Sequence, residues 1–338
     1  MIEALVCVQP GELRVEQRPA PAAEPGHVLV RPRRVGICGT DYHIYEGNQP
    51  FLNYPRVMGH ELAVEVVENT TGTGPKVGTV CVVNPYLACG TCHACRRGNP
   101  NCCMKIQVLG VHRDGGMTGL LSLPPGNLIA ADGLSADECA MVEFLAIGAH
   151  AVRRGAVDSR DRVLIIGAGP IGLGAALFAS LSGAEVTVMD RDAERMKAAQ
   201  RLFSVHHTIL AEGDIAKAVS EVTGGDGFDV VFDATGNRKS IEAGFQYVAH
   251  GGRYVLVSVV QGDITFTDAD FHRRETTLLG SRNATQVDFE RVIQAIRDGK
   301  VKSEAWISHR TSMHGAVQDL PRWASEKTGL IKAVIEIA

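Results

Sequence analysis

Apolar and polar positions follow two rhythms along this chain. Up to about residue 150, short β-branched runs recur at Val28–Val35, Leu62–Val67 and Val77–Val83. Turn-forming residues separate them at Pro25-Gly26, Gly72-Thr73-Gly74 and Pro124-Pro125-Gly126. Short runs between such punctuation predict antiparallel strands in a compact, barrel-like domain. From Val163 the rhythm changes. Val163–Ile166 is a fully apolar strand, Gly167–Gly172 a glycine turn, and Ile171–Ser182 a helix of small residues. Glu185–Asp190 is the next strand and Ala193–Leu202 an amphipathic helix, with further strands at Asp229–Asp233, Arg253–Ser258 and Thr277–Leu279. Strands alternating with helices predict right-handed βαβ units and a parallel sheet covered on both faces.

After Arg282, a helix at Val287–Asp298 and an apolar strand at Lys332–Ile337 return to the rhythm of the first 150 residues. The expected architecture is therefore α/β. A β-rich catalytic domain over 1–150 and 283–338 is interrupted by a doubly wound dinucleotide-binding domain over 151–282. No internal repeat or low-complexity segment is visible.

Composition narrows the function classes. The 338 residues are too many for one typical core. Lys and Arg number 34 against 38 Asp and Glu, with no basic block or acidic tail, so neither nucleic acid nor a membrane surface is an expected partner. Met1–Pro10 lacks the pattern of a signal peptide, which points to the cytoplasm. Val163–Met189 is almost uncharged, but its glycines and Pro170 favour a strand and a buried helix over a bilayer span. Nine cysteines in a reducing compartment are better candidates for metal binding or catalysis than for disulfides.

Gly167-Ala168-Gly169-Pro170-Ile171-Gly172 follows an apolar strand and opens a helix, and Asp190 ends the next strand eighteen residues later. Gly167 permits the tight turn, Gly169 lets backbone approach a pyrophosphate, and Gly172 lets the helix pack on the strand. The helix N-terminus offers free N–H groups to the phosphates. Asp190 suits a ribose 2′-hydroxyl and repels a 2′-phosphate, favouring NAD over NADP, while Arg191 and Arg195 weigh the other way. A ligand-free glycine turn is the alternative.

Cys89, Cys92, Cys95 and Cys103 are spaced C-x2-C-x2-C-x7-C. Four thiolates on a turning loop suit a closed, structural zinc site. Cys102 could replace Cys103, and iron–sulfur binding or free thiols are the other readings. Cys38 and the pair His60-Glu61 lie twenty-two residues apart. Each alone is more often an ordinary core or loop residue than a ligand.

Taken together, these motifs resemble the zinc-containing medium-chain dehydrogenases, the superfamily of alcohol, sorbitol and threonine dehydrogenases. The resemblance covers essentially the whole chain. It rests on Gly36-Ile37-Cys38-Gly39-Thr40-Asp41-Tyr42-His43, Gly59-His60-Glu61, the four-cysteine lobe, the glycine fingerprint and Asp233-Ala234-Thr235-Gly236. It implies a GroES-like β-rich catalytic domain with an inserted Rossmann domain, and one catalytic and one structural zinc per chain.

By that resemblance Cys38 and His60 would bind the catalytic zinc, with Glu61 a ligand or near-ligand. Glu143 takes the position of a further ligand, directly or through a water, although Phe144 stands where the family usually has proline. An open zinc position would bind the substrate hydroxyl and lower its pKa, and hydride would pass to the nicotinamide. Thr40 and His43 match the family's proton relay, and Asp41 fits a carboxylate orienting His60. Thr235 would lie near the nicotinamide, Val257 and Ser258 near its carboxamide, and Lys332 near the pyrophosphate. Arg282 stands where polyol dehydrogenases place an arginine that contacts substrate or cofactor. A structural salt bridge is the alternative for either base.

Two stretches are most similar to a bacterial branch that oxidises aldonates such as L-galactonate or L-gulonate at the 5-hydroxyl. They are His43–Gly47 with Tyr54–Val57, and Val108–His112 with Asp114–Gly116. Tyr45 and His112 fall within them, and Arg282 or His112 could pair with an aldonate carboxylate. A neutral polyol such as sorbitol or xylitol, L-threonine, and a non-catalytic zinc- and nucleotide-binding regulator are the alternatives. Relatives are commonly homodimers or homotetramers.

Overall fold

The alternation of apolar runs and glycine turns resolves, in the computed structural model, into two units. The structure describes residues 1–50, 52–203, 205–326 and 329–337. One unit comprises Met1–Phe144 with Thr285–Ala338, the other Leu145–Ala284.

The first unit is built on a seven-stranded, largely antiparallel sheet. Along its main path the strands are Leu128–Ala130, Val80–Val83, Glu61–Asn69, Val28–Ile37, Lys332–Glu336 and Ile307–Ser312, and Leu121–Leu123 also pairs with Val28–Ile37. Lys332–Glu336 thus lies in the sheet interior, antiparallel to Val28–Ile37 with Ala333 opposite Ile37. Val28 and Val30 are buried and their neighbours partly exposed, the period-two signature of a strand with one face on the core. That core joins Leu5, Val30, Met58, Leu62 and Ile335 with Trp323. A smaller sheet orders Glu12–Arg18, Ile2–Gln9 and Arg56–Val57. The run at Val77–Val83 becomes a strand only from Val80, because Thr79 N–H closes a turn on Lys76 and leaves Val77 exposed.

The second unit is a six-stranded sheet ordered His207–Leu210, Glu185–Asp190, Arg162–Ile166, Phe228–Asp233, Val248–Leu256 and Thr277–Gly280. All five pairings are parallel, as the sequence predicts. Numbered along the chain the order is 3-2-1-4-5-6, the doubly wound arrangement of two mononucleotide-binding halves. The central strands carry the apolar runs Val163–Ile166 and Val230–Phe232 because both faces are covered. The almost uncharged stretch Val163–Met189 is most of a strand, the helix Pro170–Leu181 and most of a second strand. No helix among the described residues is long and apolar enough to cross a membrane. The strand expected at Arg253–Ser258 begins at Val248, since Gly251 at φ +74° lets the chain kink and keep pairing.

Candidate functional site

A half-buried thiol converges with a buried imidazole and carboxylate in the first unit. Cys38 closes the strand Val28–Ile37 and caps the helix Gly39–Glu46. Glu61, directly after His60, opens the strand Glu61–Asn69, which pairs with Val28–Ile37 and sets Glu61 opposite Gly36. One ligand atom from each of Cys38, His60 and Glu61 falls within 4.8 Å of the others. A Cβ at Gly36 would collide with the Glu61 carboxylate, so glycine makes room for it.

The charges in this cluster call for a cation. His60 is buried, and its Nδ1 has no hydrogen-bond partner among the described residues. Burial alone would lower His60, yet the Cys38 sulfur and the Asp41 and Glu143 carboxylates raise it well above the usual imidazole range. The one ammonium buried with them, Lys332, pairs with Glu61, so the acidic groups outnumber it, and burying the excess without further positive charge is costly. A thiolate, an imidazole and a carboxylate are also a donor set that zinc accepts. The residues fit the metal.

Several expected roles fall elsewhere. Asp41 is fully buried, but its carboxylate accepts from Cys38 N–H at 2.9 Å and Gly59 N–H at 3.3 Å. It therefore ties together the two backbone segments that carry Cys38 and His60, and its hydrogen bonds are to backbone instead of the imidazole. Glu143, on the helix Ala136–Arg154, is not part of the three-residue cluster, and its Oε1 accepts from the buried Tyr86 hydroxyl. Burial and the charge of Glu61 raise Glu143 to about 7, against the opposing pull of His60. Lys332, expected beside a pyrophosphate, is only 2% exposed. Its ammonium is ion-paired with Glu61, donates to Ile37 O at 3.0 Å and lies 4.5 Å from the Phe144 ring centroid. A cation so enclosed is committed inside this unit.

Thr40 Oγ1 lies 3.9 Å from Cys38 Sγ, whereas His43 is exposed and its Nδ1 lies 3.7 Å from Glu46. Of the two relay positions only Thr40 stands against the cluster. Tyr45 packs on the core, and the exposed His112 has its Nδ1 accepting from Val108 N–H at 3.1 Å. Arg282 is exposed in the second unit. Sequence reasoning missed Tyr86, since a tyrosine in a two-residue strand carries no periodic signal.

The four-cysteine lobe assembles as its spacing predicts. The sulfurs of Cys89, Cys92, Cys95 and Cys103 lie within 4.8 Å of one another, while Cys102 is exposed and outside the group. Cys92 N–H points at Cys89 Sγ at 3.4 Å, and Lys105 N–H at Cys103 Sγ at 3.3 Å. Backbone N–H groups of Thr91 and Cys92 lower the Cys89 thiol to about 6. A thiol lowered in this way is a ready ligand, and a closed tetrahedral site is the geometry structural zinc prefers.

In the second unit the fingerprint turn joins the strand Arg162–Ile166 to the helix Pro170–Leu181. A Cβ at Gly172 would collide with Gly167 O, so only glycine lets the first helical turn fold onto the loop. Ala168 N–H donates to Asp190 at 2.6 Å and Asp192 N–H at 2.9 Å, which fixes that carboxylate beside the turn. Arg195 Nε lies 3.6 Å from Asp192, and Arg191 is exposed. Ile171 is half-buried in the first helical turn. Thr235, Val257 and Ser258 follow the carboxyl ends of their strands. This open end of a doubly wound sheet, with free N–H groups at the helix start, suits a dinucleotide.

Fold and sites together define a two-unit dehydrogenase, and comparison with known proteins agrees. Residues 24–133 match the alcohol dehydrogenase GroES-like domain and residues 170–298 the zinc-binding dehydrogenase family. The chain belongs to the zinc-type alcohol dehydrogenase family and is an NAD(P)-linked alcohol dehydrogenase. It is 41% identical over 340 residues to the L-galactonate-5-dehydrogenase of Escherichia coli K12, covering 99% of this chain and 98% of that one. Among solved structures, the alcohol dehydrogenase rspB of E. coli CFT073, complexed with NADH, superposes with a TM-score of 0.93 at 26% identity, covering 99% of each chain. A zinc-binding dehydrogenase of Sinorhizobium meliloti 1021 bound to NADP gives 0.91 at 27% identity, again covering 99% of each.

Proposed function

We propose that this protein oxidises the 5-hydroxyl of an aldonate such as L-galactonate or L-gulonate, with NAD as the hydride acceptor. The carrying observation is the 41% identity to an L-galactonate-5-dehydrogenase over nearly the full length of both chains. In the net reaction the carbinol C–H leaves as hydride to the nicotinamide and the hydroxyl proton passes to solvent, giving ketone and NADH.

Cys38, His60 and Glu61 would hold the catalytic zinc, and Cys89, Cys92, Cys95 and Cys103 a structural one. A zinc in the first position supplies Lewis acidity that lowers the pKa of a bound hydroxyl. The chain's residues do the rest. Asp41 fixes the backbone on both sides of the cluster, and Lys332 offsets the Glu61 charge. The Thr40 hydroxyl, beside Cys38, would take the substrate proton toward water. Residues Leu145–Ala284 would bind the dinucleotide, with Asp190 receiving the ribose hydroxyls and disfavouring a 2′-phosphate.

Initial rates of reduced-cofactor formation across L-galactonate, L-gulonate, other aldonates, sorbitol, xylitol, L-threonine and simple alcohols, each with NAD and NADP, test the proposal. Preference for an aldonate with NAD is expected. Preference for a neutral polyol would remove the sugar-acid assignment and keep the reaction.

A further inference from the structure

The second half of the parallel sheet carries a buried carboxylate that no cofactor assignment uses. Asp233 ends the strand Phe228–Asp233 and is fully buried. Its Oδ1 accepts from Thr235 N–H at 2.9 Å, Thr235 Oγ1 at 2.7 Å and Ser258 Oγ at 3.4 Å, and its Oδ2 accepts from Ser240 Oγ at 2.7 Å. The network extends outward. Gly236 N–H donates to Ser258 Oγ at 2.8 Å, Asn237 N–H to Thr235 Oγ1 at 3.1 Å, and Val257 N–H to the Asp233 carbonyl at 3.0 Å.

One side chain thus gathers donors from two strand ends and from the helix Arg238–Gly244, where the sheet opens for a ligand. A carboxylate buried without a cation persists only if it is hydrogen-bonded, and here both oxygens accept. The glycine turn and Asp190 belong to the first mononucleotide half, Asp233 to the second, so the two halves are fixed by separate devices.

We infer that Asp233 is a positioning residue for the nicotinamide half of the dinucleotide, holding Thr235, Gly236 and Ser258 in the geometry that receives it. This rests on the reading that the second unit binds a nicotinamide dinucleotide. Asp233 does not touch the cofactor; it acts through the residues it anchors. Asn at this position keeps the volume, replaces one acceptor oxygen by a donor facing Ser240, and lets the turn drift.

The test compares two probes on the intact protein. NADH binding is followed by its fluorescence, and ADP-ribose, which lacks the nicotinamide, by calorimetry. Asp233→Asn should weaken NADH about tenfold or more, in line with loss of a charge-assisted hydrogen bond, and leave ADP-ribose within about twofold. Ser240→Ala, which removes a single donor, guards against misfolding of the first variant and should give the same selective loss at a few-fold. Equal weakening of both probes in the folded variants, or no change in either, would overturn the positioning role. Failure of the unaltered protein to bind either probe would overturn the underlying reading instead.

Discussion

Replacing Lys332 with Met should cost the first unit several kcal/mol in the metal-free protein. Lys332 is 2% exposed and Glu61 fully buried, so water cannot take over when the ammonium is removed. Breaking a buried ion pair by deleting one partner leaves an uncompensated charge and costs about 3–5 kcal/mol. The Ile37 carbonyl also loses its 3.0 Å donor, and the Phe144 ring its cation, which push in the same direction. The double variant Lys332→Met/Glu61→Gln removes both charges and should recover most of the loss. The chain has two tryptophans, Trp306 and Trp323, both buried and both in the first unit. Their emission therefore follows unfolding of that unit. With an m value of about 2–3 kcal/mol per molar urea, the single variant's midpoint should fall by about 1–2 M. A midpoint within about 0.3 M of the unaltered protein would refute the dependence of Glu61 on Lys332, as would a double variant no more stable than the single one.

The other predictions concern metal and protons. His60→Ala should lower zinc from two equivalents per chain to one, counting both ligand groups, with turnover down about three orders of magnitude and the fold intact by circular dichroism. Unchanged zinc content would remove His60 from the site. Cys103→Ser should lose the other zinc, whereas Cys102→Ser should keep it, and metal analysis of dialysed protein decides between the two cysteines. Glu143 is raised from 4.5 to about 7, so the folded metal-free protein holds its proton more tightly than the unfolded chain. The stability that proton confers is complete below about pH 4.5 and lost as pH rises through about 7. Relative to Glu143→Gln, the metal-free protein should lose up to about 3 kcal/mol between pH 5 and 8; parallel pH profiles would count against the shift.

Where local physics decides, the sequence is legible. The strand Glu185–Asp190 and the helix Ala193–Leu202 stand at the predicted residues, because an apolar run ends at Asp190 and Asp192 caps the helix by accepting from Glu194 and Arg195 N–H. The four-cysteine cluster was equally readable, since fifteen residues of turning loop bring its ligands together. Contacts between distant segments were not. Nothing around Lys332 announces that its partner is Glu61, since the pairing depends on the register of Lys332–Glu336 against Val28–Ile37. Tyr86 and Glu143 meet for the same reason, across fifty-seven residues. Asp41 illustrates a different limit: its proximity to His60 was foreseeable, but which donors a buried carboxylate takes depends on backbone conformation.

The interior position of Lys332–Glu336 also has a consequence in time. Lys332 hydrogen-bonds a carbonyl 295 residues upstream. At roughly 5–20 residues per second, a ribosome takes on the order of 15–60 s to travel from one to the other. For that interval the edge of Val28–Ile37 that Lys332–Glu336 will cover lacks its native neighbour, and Glu61 its counter-charge. The strands that flank Cys38 and His60 are thus synthesised early and completed late, and a nascent chain halted before residue 332 would present an open strand edge ready to pair with another copy.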